Sequence, residues 1–69
     1  MKKIITFTEC EHDGDAENYK QDLIKSGATI IEADMDSDNE EITITIECDK
    51  YFVDEFKKTE SYEFAFFQS

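Results

Sequence analysis

Residues 41–49 constrain the fold more tightly than any other stretch. Ile42, Ile44, Ile46 and Cys48 alternate with Thr43, Thr45, Glu47 and Asp49. Successive side chains of a strand point to opposite faces of a sheet, so Glu41 to Asp49 reads as a strand with one apolar and one polar face. Such a strand is stable only if other elements of the chain pair with its backbone and cover its apolar row.

The rest of the sequence supplies those elements in order. Lys2 to Glu9 is a strand candidate carrying Ile4, Ile5 and Phe7, and Glu11-His12-Asp13-Gly14 is a polar turn. Asp13 or Asp15 can cap a helix start, because a carboxylate accepts hydrogen bonds from the free N–H groups of a first turn. Ala16, Tyr19, Leu23 and Ile24 then recur at helical spacing, and Gly27 suits the left-handed position that ends a helix. Ala28 to Met35 returns to period two, with Ile31, Ala33 and Met35 on one face and Ile30, Glu32 and Asp34 on the other. Asp36 to Glu40 has the length and composition of a hairpin link. Asp49 can cap a second helix from Lys50 to Lys58, with Phe52, Val53 and Phe56 as its apolar stripe. Lys57 and Lys58 then lie at its partly negative C-terminal end. Tyr62, Phe64 and Phe66 alternate with Glu63, Ala65 and Phe67 and read as a last strand, although Ser61 to Ser69 could instead extend the helix or fray.

The order βαββαβ predicts an α+β, ferredoxin-like sandwich: a four-stranded antiparallel sheet with two helices on one face. The 69 residues make one domain. A chain this short buries only about 60% of its unfolded surface, so its core is marginal. There is no apolar run of membrane-spanning length, and the N-terminal apolar stretch is too short for a signal peptide. Cys10 and Cys48 are too few for a disulfide scaffold. The expectation is a cytoplasmic protein with two reduced thiols and no membrane partner.

Against that small core stands a net charge of -11: 18 Asp and Glu against seven Lys, with no Arg. Unpaired like charges destabilise a compact state. The acids also cluster. From Ile4 to Tyr19 there is no Lys, but there are Glu9, Glu11, Asp13, Asp15 and Glu17. From Glu32 to Asp49 there is again none, and that window holds Glu32, Asp34, Asp36, Asp38, Glu40, Glu41, Glu47 and Asp49. If the Ile42-Ile44-Ile46 row meets the helices, Glu32, Asp34, Glu47 and Asp49 fall on the open sheet face. Ile4, Ile30 and an exposed Phe67 are expected to accompany them as candidate contacts. The plain alternative is a solvated acidic edge that aids solubility and discourages edge pairing.

Catalytic and metal-binding patterns are weak. Asp34-Met35-Asp36-Ser37-Asp38 resembles the start of a calcium loop, but Asn39 stands at the glycine position and Thr45 at the closing glutamate position. Cys10, His12 and Cys48 are three potential zinc ligands, one short of a closed site, and the two cysteines fall at opposite ends of neighbouring strands. His12, flanked by Glu11 and Asp13, favours its protonated form but has no motif-placed nucleophile. No Gly-rich phosphate loop is present, no cofactor is called for, and direct nucleic-acid binding is opposed by the charge.

The stretches Glu9-Cys10-Glu11-His12-Asp13-Gly14-Asp15 and Glu32-Ala33-Asp34-Met35-Asp36-Ser37-Asp38-Asn39-Glu40-Glu41, in a short proline-free chain, resemble the small acidic proteins that phages make against host nucleic-acid machinery. That class includes DNA mimics directed at nucleoid proteins such as HU, at nucleases and at CRISPR effectors. The resemblance implies only a class of action, a non-enzymatic inhibitor acting in the host cytoplasm; the acids of the two lysine-free windows are expected, from the charge pattern itself, to make the contact. One strand supplies only about a quarter of the charge density of duplex DNA, so a homodimer is expected. The alternatives are a ligand-binding or regulatory ferredoxin-like module, with Ser26-Gly27-Ala28-Thr29-Ile30 as its turn, and a carboxylate enzyme supported only by acid abundance.

Overall fold

The computed structural model describes residues 1–10 and 13–68. Glu11, His12, Ser69 and the side chain of Asp13 lie outside the described residues, and so do the expectations that fall on them. The elements are β1 (Lys2–Phe7), α1 (Asp13–Lys25), β2 (Thr29–Asp36), β3 (Glu41–Glu47), α2 (Phe52–Phe56), a 3-10 helix (Glu60–Phe64) and β4 (Ala65–Phe67). The strands form one four-stranded sheet in the order β2-β3-β1-β4, with every neighbouring pair antiparallel. This is the α+β ferredoxin-like arrangement, with α1 and α2 covering one face.

The central row behaves as its alternation predicts. Ile42, Ile44 and Ile46 are buried, and their β1 partners Phe7 and Ile5 are fully buried beside them. Ala16, Tyr19 and Leu23 of α1 and Phe52 and Phe56 of α2 close the core from above. Phe7 stacks on Tyr19 at 4.5 Å and meets Phe56 edge-on at 6.1 Å, so one β1 residue joins both helices. Full burial of side chains this size stabilises by about 1.5–3 kcal/mol each. Ile24, expected in the α1 stripe, is exposed instead. At the end of α1, Gly27 takes φ 101°, its N–H donates to the carbonyl of Ile24, and the Ala28 N–H donates to that of Leu23. Both bonds of a glycine-terminated helix end are present.

Four local expectations change. First, a bulge lies between Ile30 and Glu32 in the β2–β3 ladder. It places Ile30 opposite Ile46, packed against the core, and leaves Ile31 exposed, the reverse of strict alternation. One extra residue in a strand resets its facing. Second, α2 spans five residues rather than Lys50 to Lys58. An Asp49 carboxylate oxygen accepts from the Tyr51 N–H at 2.9 Å, which spends the cap on a turn before the helix. At the other end the Thr59 hydroxyl donates to the Phe56 carbonyl and the chain turns extended. Third, Tyr62 to Phe64 belong to the 3-10 helix, and only Ala65–Phe67 form the strand. Ser61 and Phe64, three apart, point inward together, which suits a helix of three residues per turn. Fourth, Phe67 pairs with Ile5 and leans on Phe56 on the helix side, so the aromatic on the open face is Phe66, which is 60% exposed.

Candidate functional site

Residues paired across neighbouring strands share a face. Because Ile44 and its partners Ile5 and Ala33 face the helices, the open face carries Glu32, Asp34 and Asp36 from β2, and Glu41, Thr43, Thr45 and Glu47 from β3. Lys2, Ile4 and Thr6 from β1 and Phe66 from β4 complete it. The middle is neutral: Thr6 and Thr43 hydroxyls bond at 3.2 Å, and the Gln68 amide donates to the Thr6 hydroxyl. Carboxylates therefore line the β2 edge, at intervals of about 6.8 Å along the strand.

The hairpin concentrates them further. Asp36 stands directly across the ladder from Glu41, a like-charge pairing that destabilises an antiparallel sheet. The Asp36 carboxylate is compensated locally. It accepts from the Asn39 side-chain amide at 2.8 Å and from the backbone N–H groups of Asn39 and Asp38, and these bonds hold it below the usual carboxylate range. Here Asp36 is a turn-forming residue in its charged form.

The tertiary structure joins the two lysine-free windows at this end. The Cys10 N–H donates to the Glu40 carbonyl at 2.7 Å, tying the chain after β1 to the hairpin. The residues on either side of this junction, Glu9 and Glu40, have φ of 59° and 54°. The left-handed region costs a non-glycine residue about 1–2 kcal/mol. The first turn of α1, with Asp15, starts at the same end, where a helix N-terminus favours carboxylates. Glu9, Asp15, Asp36, Asp38, Glu40 and Glu41 thus share one end of the molecule, and Glu32 and Asp34 continue from it along the β2 edge.

Glu47 and Asp49 are not part of that group. Glu47 sits at the opposite end, 2.9 Å from the N-terminal ammonium and across the ladder from Lys2. The hydrogen bond to Glu47 raises the pKa of that amine. Asp49 is committed to its turn. Among the described residues two further ion pairs form, Lys20–Glu17 and Lys58–Glu55, both between near neighbours in sequence. None of the three reaches Glu32, Asp34, Asp36, Asp38, Glu40 or Glu41.

Cys10 and Cys48 are both buried, and neither is in a disulfide. The ladder carries them past opposite ends of the β1–β3 pair, and burial pushes the Cys48 thiol up. Among the described residues no three His, Cys, Asp or Glu side chains converge closely enough to hold a metal ion.

One feature has no counterpart in the sequence reading. A groove of about 580 Å³ runs between α1 and the 3-10 helix. Half-buried Phe64 supplies its aromatic surface, with the buried ring of Tyr19 behind it at a centroid distance of 6.1 Å, and Glu9, Asp15, Asp22 and Glu60 supply carboxylates. Buried Ser61 donates to Asp22 across the groove. Burial, then the nearby Asp15, Cys10 and Glu9, raise the Tyr19 phenol, whose hydroxyl donates to the Thr8 carbonyl at 3.1 Å. Asp22 and Ser61 lie 39 residues apart, so no local pattern could have paired them.

What fold and surface define is a small ferredoxin-like protein with an acidic end and edge. No protein-family model matches the chain, and no curated protein or solved structure matches it. No helix among the described residues is long and apolar enough to cross a membrane.

Proposed function

We propose that this protein is a non-enzymatic acidic inhibitor that occupies the basic DNA-binding surface of a nucleic-acid-binding protein, such as the nucleoid protein HU, a nuclease or a CRISPR effector, and so blocks DNA. The observation that supports it is the Cys10–Glu40 junction, which gathers carboxylates from two separate stretches of sequence that contain no lysine. These groups repel one another in the free protein and are relieved against lysine and arginine on a partner. Complementary fields make such association fast and sensitive to salt. The β2 row alone is sparser than duplex DNA, with one charge per about 6.8 Å against one per about 1.7 Å. The hairpin acids and a second copy of the chain would raise that density, and the encounter would take place in the cytoplasm.

The test is displacement of a labelled duplex from purified HU, a basic nuclease and a CRISPR effector, followed by fluorescence anisotropy at low and physiological salt. Displacement of DNA from at least one of them, weakened tenfold or more by the combined Asp38→Asn, Glu40→Gln and Glu41→Gln changes, is expected. Unaltered potency of that variant, or no displacement at low salt from any of the three, would remove the proposal.

The second reading, a ferredoxin-like ligand-binding or regulatory module, is favoured by one observation, the groove between α1 and the 3-10 helix. A small ligand that raises the Tm, with no competition against DNA, would select it.

A further inference from the structure

The groove has three properties that together specify the chemistry of an occupant. Its exposed aromatic surface is the half-buried ring of Phe64, backed by Tyr19, which is only 6% exposed, and among the described residues its rim carries four carboxylates against one ammonium, that of Lys25. It also contains a fixed acceptor: the Ser61 hydroxyl, on a residue only 3% exposed, holds one oxygen of Asp22. The carboxylates come from different elements, Glu9 after β1, Asp15 and Asp22 from α1, and Glu60 from the 3-10 helix. They surround a volume of about 580 Å³ rather than a point, and no three of them converge on a metal-ion geometry among the described residues.

A planar cation with several donors answers this arrangement best. A guanidinium offers five N–H donors in a rigid fork, is weakly hydrated and stacks on aromatic faces, whereas an ammonium is a compact, strongly hydrated point charge. We infer that the groove between α1 and the 3-10 helix binds the guanidinium of an arginine side chain presented by a partner protein. This deepens the inhibitor proposal, on which it rests for the partner's basic character. It places one anchoring contact beside the acidic end, since Glu9 belongs both to that end and to the groove wall. A main-chain-linked arginine is favoured over free arginine, because the free amino acid carries its own carboxylate into an acidic site.

The probe is N-acetyl-arginine amide, titrated into the 15N-labelled protein. It needs no DNA-binding protein, so its result is separable from the displacement assay. Saturable shifts are expected at Tyr19, Asp22, Ser61 and Phe64, with the isosteric but neutral N-acetyl-citrulline amide binding at least about tenfold more weakly, as expected on loss of charge-assisted hydrogen bonds. N-acetyl-lysine amide and free arginine should both bind more weakly than the capped arginine. Asp22→Asn should weaken binding. Because Asp22 also contacts Ser61, exposed Glu60→Gln provides a second variant expected to weaken it, while Asp54→Asn, outside the groove, should leave it unchanged. Shifts spread over the hairpin instead of the groove, equal binding of lysine or citrulline amide, or equal loss in Asp54→Asn would overturn the assignment. Free arginine binding as tightly as the capped form would overturn the side-chain source.

Discussion

At the N-terminal end of the sheet, Glu47 has an ammonium at 2.9 Å and Lys2 across the ladder. At the hairpin end, Glu41 faces Asp36 across the same ladder, and Glu40 lies in a left-handed backbone conformation against the chain that follows β1. The two ends belong to one strand pair and one core, yet a carboxylate has opposite consequences at each. Where a cation is present it closes the structure; where none is present it adds repulsion. Composition alone treats all 18 acids alike. Their placement shows that the excess is local and that it coincides with local backbone strain.

Four predictions bear on that contrast, from the largest effect to the smallest. The common core should outweigh either end. Phe56 contacts the rings of Phe7, Phe52, Tyr62 and Phe67, so Phe56→Ala should cost about 3–5 kcal/mol. That is a large part of the about 5–15 kcal/mol that stabilises a typical protein, and urea unfolding should show a lost or much weakened transition. A milder loss would mean that the two ends are held independently of the helix-side core.

The next prediction concerns sign. Glu40→Asn removes a charge and installs a residue that tolerates the left-handed region, so stability should rise by about 1 kcal/mol. Glu47→Gln removes the same charge from the other end and should lower the Tm, because it breaks an ion pair. Equal signs for the two substitutions, measured by thermal unfolding in the same buffer, would erase the distinction between the ends.

Salt provides the third comparison. Moving from about 10 mM to about 150 mM ionic strength shortens the Debye length from about 30 Å to about 8 Å. The Tm should rise as hairpin repulsion is screened, and less so in Glu40→Asn. A flat or falling Tm would show that repulsion is insignificant.

The smallest effect is a difference in pH response. The N-terminal amine has a pKa raised above 8.0 in the folded state by its bond to Glu47. Its contribution is therefore complete below pH 8 and is lost as the pH rises through the folded value. Asp36 is lowered from 3.8 by its bonds to Asn39 and Asp38, so its contribution is present above that value and is lost as the pH falls through the folded pKa. Amide NMR should report base-induced change near Cys48 and acid-induced change near Asn39. Glu47→Gln should move the first to lower pH and leave the second where it is; a shift of both together would couple the ends.

Much of the fold was legible along the chain. The alternation from Ile42 to Ile46, the Ala16-Tyr19-Leu23 stripe and Gly27 each record a local backbone period or a local steric requirement, and each appears in the structure as read. The bulge at Ile31 and the 3-10 turn at Ser61 were hidden for a common reason. Ile30 and Ile31 are chemically equivalent, so only pairing with β3 determines which one faces the helices. Ser61 turns inward toward Asp22, which belongs to a distant helix.

The acidic surface divides in the same way. The sequence by itself determined the amount of charge, the two stretches without lysine and the polar row on β3, because these follow from residue order and a two-residue period. Only the tertiary structure decided that Cys10 meets Glu40, that Glu47 lies at the other end beside an ammonium, and that a groove opens against the 3-10 helix. Those relations depend on antiparallel register and helix packing, which bring together residues that share no local pattern.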